Sequence, residues 1–303
     1  MEIGHKQKQQ LEQQQQQQKP IEMFSVPYFG RYDIRYFNSK DNNNMCKKDH
    51  ESCHEQAFVS ISDFSTSTIA KFCEERKLLE LVEAIIKLTV RITVKNVSLE
   101  RGEIISNSNQ CYKYNNIKSP IFGSGTVLEL SESQVHVLTA KHVVFNSEES
   151  ENTECWLYFD GNSCKKIIIK GLSESDSKIS KDWCDFTCEV DEKEIEKLQQ
   201  SLREYEQGQE NLNRNKMKRH KKCIIVSHPH GCYKYVSMGS CELDKDGYLT
   251  YKAPTCSGSS GGYIVPIGCR TEGVFIHSGS KKVEGAIIGQ SSGEVEQYKP
   301  ETG

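Results

Sequence analysis

Three observations predict an all-β fold built from antiparallel barrels. Short β-branched, alternating runs recur from about residue 85 onward, among them Val135-His136-Val137-Leu138-Thr139 and Cys223-Ile224-Ile225-Val226. Polar links separate them, and strands of this length so linked fit an all-β barrel. The third is size: 303 residues suffice for two six-stranded barrels plus extensions.

Residues 1–20 are Gln-rich and of low complexity, with too little apolar content to bury a core. The region 21–62 reads as polar and irregular, although it carries Phe24, Tyr28, Phe29, Tyr32, Tyr36 and Phe37. Cys46, His50, Cys53 and His54 fall close together there, but zinc sites show two short Cys/His pairs separated by a wide gap, so solvated side chains and no metal are expected. Residues 65–83 predict a helix, capped by Ser65 or Thr66, with Ile69, Phe72, Leu78, Leu79 and Val82 near helical spacing. With 21–62 it forms an N-terminal extension, 21–83, ahead of a first barrel at 84–190.

Within that barrel, strands are predicted at 85–94, 122–130, 135–144, 155–159, 165–170 and 182–190. Residues 191–220 break the pattern: charged, helix-forming and short of apolar side chains, they predict a solvated helical insertion. A second barrel follows at 221–290, with strands at 223–231, 233–243, 247–253, 262–267 and 273–277. His228 and His230 sit on its first turn and read as structural or solvated. Residues 291–303 read as a loose polar tail.

Chemistry concentrates in three places. Gly258-Ser259-Ser260-Gly261-Gly262 is a Gly-x-Ser-Gly-Gly turn, able to lift a Ser hydroxyl and to aim backbone N–H groups at a developing oxyanion. A small Ser/Gly run alone is more often a plain loop. Thr139-Ala140-Lys141-His142-Val143 ends an apolar run in a histidine, and Asp182-Trp183-Cys184-Asp185-Phe186 heads an alternating strand with acids. The order His, Asp, Ser is one of the known chain orders of the hydrolytic triad.

With these motifs in this order, residues 84–290 resemble the trypsin-like (chymotrypsin-fold) serine proteases. The resemblance implies two six-stranded antiparallel β-barrels, here with an N-terminal helix and a helical inter-barrel insertion. It implies His142, Asp185 and Ser260 as the triad, and the N–H groups of Gly258 and Ser260 as the oxyanion hole. Asp182 competes with Asp185, and Ser259 with Ser260. Phe186, Cys188 and Val190 alternate after Asp185 as in the family's strand, and only Ser260 is followed by Gly-Gly, so Asp185 and Ser260 are the expected members.

The departures narrow the branch. Secreted trypsins carry Cys after the catalytic His and Asp before the nucleophile; the residues here are Val143 and Ser259. The resemblance is therefore closer to the intracellular and bacterial-type members, such as the high-temperature-requirement proteases and the glutamyl endopeptidases. The latter, like picornaviral cysteine proteases, carry a segment similar to Val274-Phe275-Ile276-His277-Ser278-Gly279, in which His lines the primary pocket. Thr255 falls where those families place a pocket hydroxyl, and residues 277–279 where substrate backbone is paired, so Thr255, His277, Ser278 and Gly279 are expected to bind substrate. An imidazole there implies cleavage after Glu or Gln.

Composition excludes other classes. Net charge is -3 at pH 7, which argues against nucleic-acid partners and anionic membrane surfaces. No run reaches the roughly 18 apolar residues of a membrane span, and the first 20 residues lack the apolar segment of a secretory signal. The thirteen cysteines show no disulfide framework, so reduced thiols and an intracellular setting are expected. The expectation is a cofactor-free serine endopeptidase acting on protein or peptide substrates. The rival is a catalytically silent domain of the same fold that serves as a binding scaffold.

Overall fold

The structure, a computed structural model, describes residues 58–72, 76–101, 120–131, 133–161, 167–178, 181–214, 221–269, 273–283 and 286–293. The Gln-rich tail and the Cys46, His50, Cys53 and His54 cluster lie outside them.

The chain enters through β1 (Phe58–Ser60), α1 (Thr66–Phe72) and α2 (Arg76–Leu88). The predicted helix 65–83 is thus two helices, and the second extends to Leu88. Leu78, Leu81, Val82 and Ile85 form its buried stripe, and the β-branched run from Thr89 ends it, so the strand predicted at 85–94 begins at Thr89.

The first barrel comprises β2 (Thr89–Val94), β3 (Ile121–Leu130), β4 (Gln134–Thr139), β5 (Thr153–Leu157), β6 (Ile167–Lys178) and β7 (Trp183–Glu189), with α3 (Ser147–Glu151) between β4 and β5. The six strands close in the order β2-β3-β4-β7-β6-β5. Val90, Ile92, Val127, Val137, Cys155, Leu157, Phe186 and Cys188 belong to its core. Their alternation along the strands leaves Arg91, His136 and Asp185 on the outer face.

Helix α4 (Glu192–Arg214) joins the barrels. It is helical as predicted but is not a solvated insertion. Ile195, Leu198, Leu202 and Tyr205 are buried on the shared core with α2, because apolar residues at helical spacing make one stripe even within a strongly charged sequence.

The second barrel contains β8 (Lys222–Ser227), β9 (Tyr235–Leu243), β10 (Tyr248–Tyr251), β11 (Tyr263–Ile267), β12 (Phe275–Val283) and β13 (Ala286–Gly293). It closes through β8, which pairs with both β9 and β11. β1 adds to β9, pairing Val59 with Val236, so the extension expected to be irregular contributes a strand. β13 likewise carries regular structure past residue 291, into the expected loose tail. The whole is a chymotrypsin-like double barrel. No helix among the described residues is long and apolar enough to cross a membrane.

Candidate active site

His142 stands on the turn after β4, where Val143 N–H returns to Ala140 O at 2.9 Å. Its side chain is buried, and Nδ1 lies 2.7 Å from Asp182 Oδ2, while Asp182 Oδ1 accepts the His142 backbone N–H at 3.1 Å. The acid beside the histidine is therefore Asp182, and the expectation of Asp185 gives way. Asp182 precedes β7 with φ +52, a left-handed conformation that turns its carboxylate toward the His142 turn. Asp185, already within β7, points from the outer face to His136, with Oδ2 3.1 Å from Nδ1. The alternation that singled it out in the sequence is what turns it away.

Asp182 has a further partner. Ser278 Oγ donates to Asp182 Oδ2. In the β12–β13 pairing, His277 faces Ser291 and Gly279 faces Gln290, with a register shift between. That irregularity falls at Ser278 and re-aims its hydroxyl, so the Ser278 side chain serves the acid, whereas the sequence reading gave the residue to substrate. Gly279 follows it on β12.

The loop 256–262 brings in Ser260. It is laced internally by Ser259 N–H to Cys256 O and Gly262 N–H to Ser259 O, both 2.8 Å. Ser227 Oγ donates to Ser259 Oγ at 3.2 Å, so the other candidate serine is tied into the loop. The Ser260 hydroxyl is buried and makes no hydrogen bond to another described residue. Among the described residues, no hydrogen bond engages the N–H of Gly258 or of Ser260 either, so both expected oxyanion donors stand unused.

Ser124, in β3 of the first barrel, seats this loop. Its N–H donates to Ser260 O and its Oγ to Gly258 O, each at 2.8 Å. The same Oγ accepts His228 N–H at 2.8 Å, and Ser124 O accepts Thr139 Oγ1 at 2.7 Å. Gly261, at φ +82, closes the contact. A Cβ there would stand 2.1 Å from Ser124 O and 2.3 Å from Thr139 Oγ1. Gly258, at φ +88, rests on the turn Pro229–Gly231, where a Cβ would meet Gly231 N and His228 O at 2.7 Å. The Ser260 loop thus docks against the end of β4, next to the His142 turn.

A buried ion pair holds that turn from behind. Arg101 Nη1 donates to His142 O at 2.8 Å and Nη2 to Val143 O at 3.1 Å. Its Nε and Nη2 engage Glu149 of α3, which also accepts the N–H groups of Ser98 and Phe145, both at 3.0 Å. No local sequence pattern marks Arg101, since its partners are distant in the chain. The Gly-Ser-Gly-Thr run at 123–126 marks a strand but not the bonds that Ser124 makes, and Asn146 and Glu149 mark only a helix start.

His277, also buried, is bound to the same loop: Gly261 N–H donates to its carbonyl and its N–H to Gly262 O, both at 2.8 Å. Its ring Nδ1 meets Tyr251 Oη, which lies 3.1 Å from Gln290 O. Thr255 is half-buried at the start of the loop. His228 and His230 are both buried, so of the two readings offered for them the solvated one fails. Burial and the nearby Lys234 and Arg91 cations hold the His228 imidazole well below its usual titration range.

A scan of protein-family models finds none that matches the chain, and no curated protein matches it. The functional reading rests on the fold and on this geometry.

Proposed function

We propose that the protein is a serine endopeptidase working through His142, Asp182 and Ser260. The observation that carries the reading is the His142–Asp182 pair, at 2.7 Å through Nδ1, on a turn against which the Ser260 loop is docked. With Nδ1–H given to Asp182, Nε2 is the nitrogen that takes the Ser260 proton as the hydroxyl attacks the scissile carbonyl; His142 then passes that proton to the leaving amine. Asp182 stabilises the imidazolium, and Ser278 holds Asp182. The unused N–H groups of Gly258 and Ser260 bind the oxyanion. Water repeats the sequence on the acyl-enzyme.

We assign a preference for Glu or Gln before the scissile bond, on the likeness of residues 274–279 to the pocket segment of the glutamyl endopeptidases and on the suitability of an imidazole to those side chains. The His277 ring is oriented by Tyr251, whose hydroxyl meets its Nδ1 and Gln290 O.

The test is fluorophosphonate labelling, with mass spectrometry to locate the adduct. Labelling of Ser260 that is lost in Ser260→Ala and slowed in His142→Ala supports the reading, and a peptide library then ranks Gln, Glu and other residues. A second reading, the silent scaffold, is favoured by one observation: the Ser260 side chain has 0% exposure. Folded protein that neither labels nor cleaves any library peptide would decide for it.

A further inference from the structure

Helix α4 fills the place where the family simply joins its barrels, and its inner face ends on the strand that leaves the nucleophile. Tyr205 Oη lies 2.7 Å from Tyr263 Oη, and Gln209 Nε2 donates to that same oxygen at 3.0 Å. The two rings meet edge to face, with centroids 5.8 Å apart at 87°. Tyr263 is 1% exposed and Tyr205 8%, so the bonds are shielded from water. Burial pushes the Tyr205 hydroxyl up to about 12, and it stays a neutral hydrogen-bonding group.

Tyr263 stands three residues after Ser260 and opens β11. Its backbone is the first after the loop to lie between two strands, paired with Val226 of β8 and Ile276 of β12. Just before it come the bonds that set the loop: Gly261 N–H to His277 O and His277 N–H to Gly262 O. Two glycines in sequence have no side chains with which to hold themselves, and their conformational freedom is large. The loop is thus held by Ser124 at Gly258 and Ser260, by His277 at Gly261 and Gly262, and at its exit by whatever holds Tyr263. We propose that α4 is a positioning element for the nucleophile loop, with Tyr205 and Gln209 holding Tyr263 so that Ser260 and its oxyanion donors keep their register. The proposal rests on the reading of Ser260 as the nucleophile.

The test uses the full chain carrying Tyr205→Phe, which keeps the ring and its packing but removes the hydroxyl. Expected are a roughly tenfold slower fluorophosphonate reaction at Ser260 and a matching fall in kcat, with KM within about twofold, since misplaced reacting groups cost rate before affinity. Amide hydrogen exchange of peptides covering 258–265 is expected to quicken about fivefold, the scale of one lost buried hydrogen bond. Leu202→Ala on the same helix serves as the contrast: a lower thermal midpoint, with labelling near wild type well below that midpoint. A Tyr205→Phe protein with a lowered midpoint but unchanged labelling and unchanged loop exchange would overturn the proposal and leave α4 a purely structural brace. Should the wild type not label at all, the nucleophile reading fails separately. The exchange measurement still decides whether α4 holds the loop: faster exchange keeps that part, unchanged exchange ends it.

Discussion

Asp182 holds His142 at two points, its Oδ2 2.7 Å from the ring Nδ1 and its Oδ1 3.1 Å from the backbone nitrogen. One carboxylate thus fixes both the tautomer of the imidazole and the turn that carries it. Asp182→Asn offers an amide in its place and favours the wrong tautomer, so kcat is expected to fall by about 10^4-fold. Asp185→Asn, which touches His136 on the outer face, is expected to keep kcat within about threefold, as a site that does not meet the reacting groups. Peptide hydrolysis by both variants checks the assignment, and the reverse ranking would return the role to Asp185.

How far the sequence reaches can be judged from these same residues. His142 and Ser260 were legible because their motifs are local: a strand end and a glycine turn each depend on a few consecutive residues. Choosing between two acids three positions apart required knowing where β7 begins and that Asp182 takes a positive φ, which tertiary contacts decide. The second barrel was legible as alternating strands, but β1 was not, because Phe58–Ser60 is too short to show a period and is a strand only by virtue of β9. The burial of α4 was obscured by its charge. Ile195, Leu198, Leu202 and Tyr205 form a narrow stripe that α2 completes from far away in the chain. Ser124 is the clearest case, a small residue whose importance lies wholly in contacts with Thr139, His228, Gly258 and Ser260.

Ser124→Ala tests that convergence. The substitution keeps the backbone bond to Ser260 O but strips Gly258 O and His228 N–H of a shared buried partner. Unsatisfied buried groups cost about 1–3 kcal/mol, so a chemical-denaturation midpoint should drop by a corresponding amount. Because Gly258 is one of the proposed oxyanion donors, the labelling rate should fall by at least about tenfold. A stability loss with an unchanged labelling rate would show that the hydroxyl braces the barrels without shaping the oxyanion turn.

The Arg101–Glu149 pair is buried on both sides, with side-chain exposures of 2% and 0%. Removing one partner strands the other charge, so Arg101→Met is expected to cost about 3–5 kcal/mol. The double variant Arg101→Met, Glu149→Gln should recover part of that loss, since no buried charge is then left alone. Activity should not recover with it, because the double variant still lacks the donors to His142 O and Val143 O. Unfolding curves and kcat measured on the single and double variants separate the two effects. Full recovery of kcat in the double variant would mean that the guanidinium stabilises the fold without positioning His142.

His228 gives a pH dependence whose sign is set by burial. Its imidazole is held well below the ordinary value of 6.5 in the folded protein, so the native state resists a proton that the unfolded chain accepts. Above about pH 6.5 neither state is protonated there, and His228 contributes no slope. As pH falls below 6.5 the unfolded chain gains the proton first, and stability is lost by up to about 1.4 kcal/mol per pH unit for that one site, down to the folded value. His228→Asn retains an N–H for Cys232 O, which lies 3.0 Å from the ring Nδ1, and it cannot titrate. Denaturation midpoints at pH 7.5, 6.5, 5.5 and 5.0 for both proteins isolate the residue, since other groups contribute equally to the two. The variant is expected to lose less stability on acidification than the wild type, and parallel curves would show that His228 is protonated as easily in the fold as out of it.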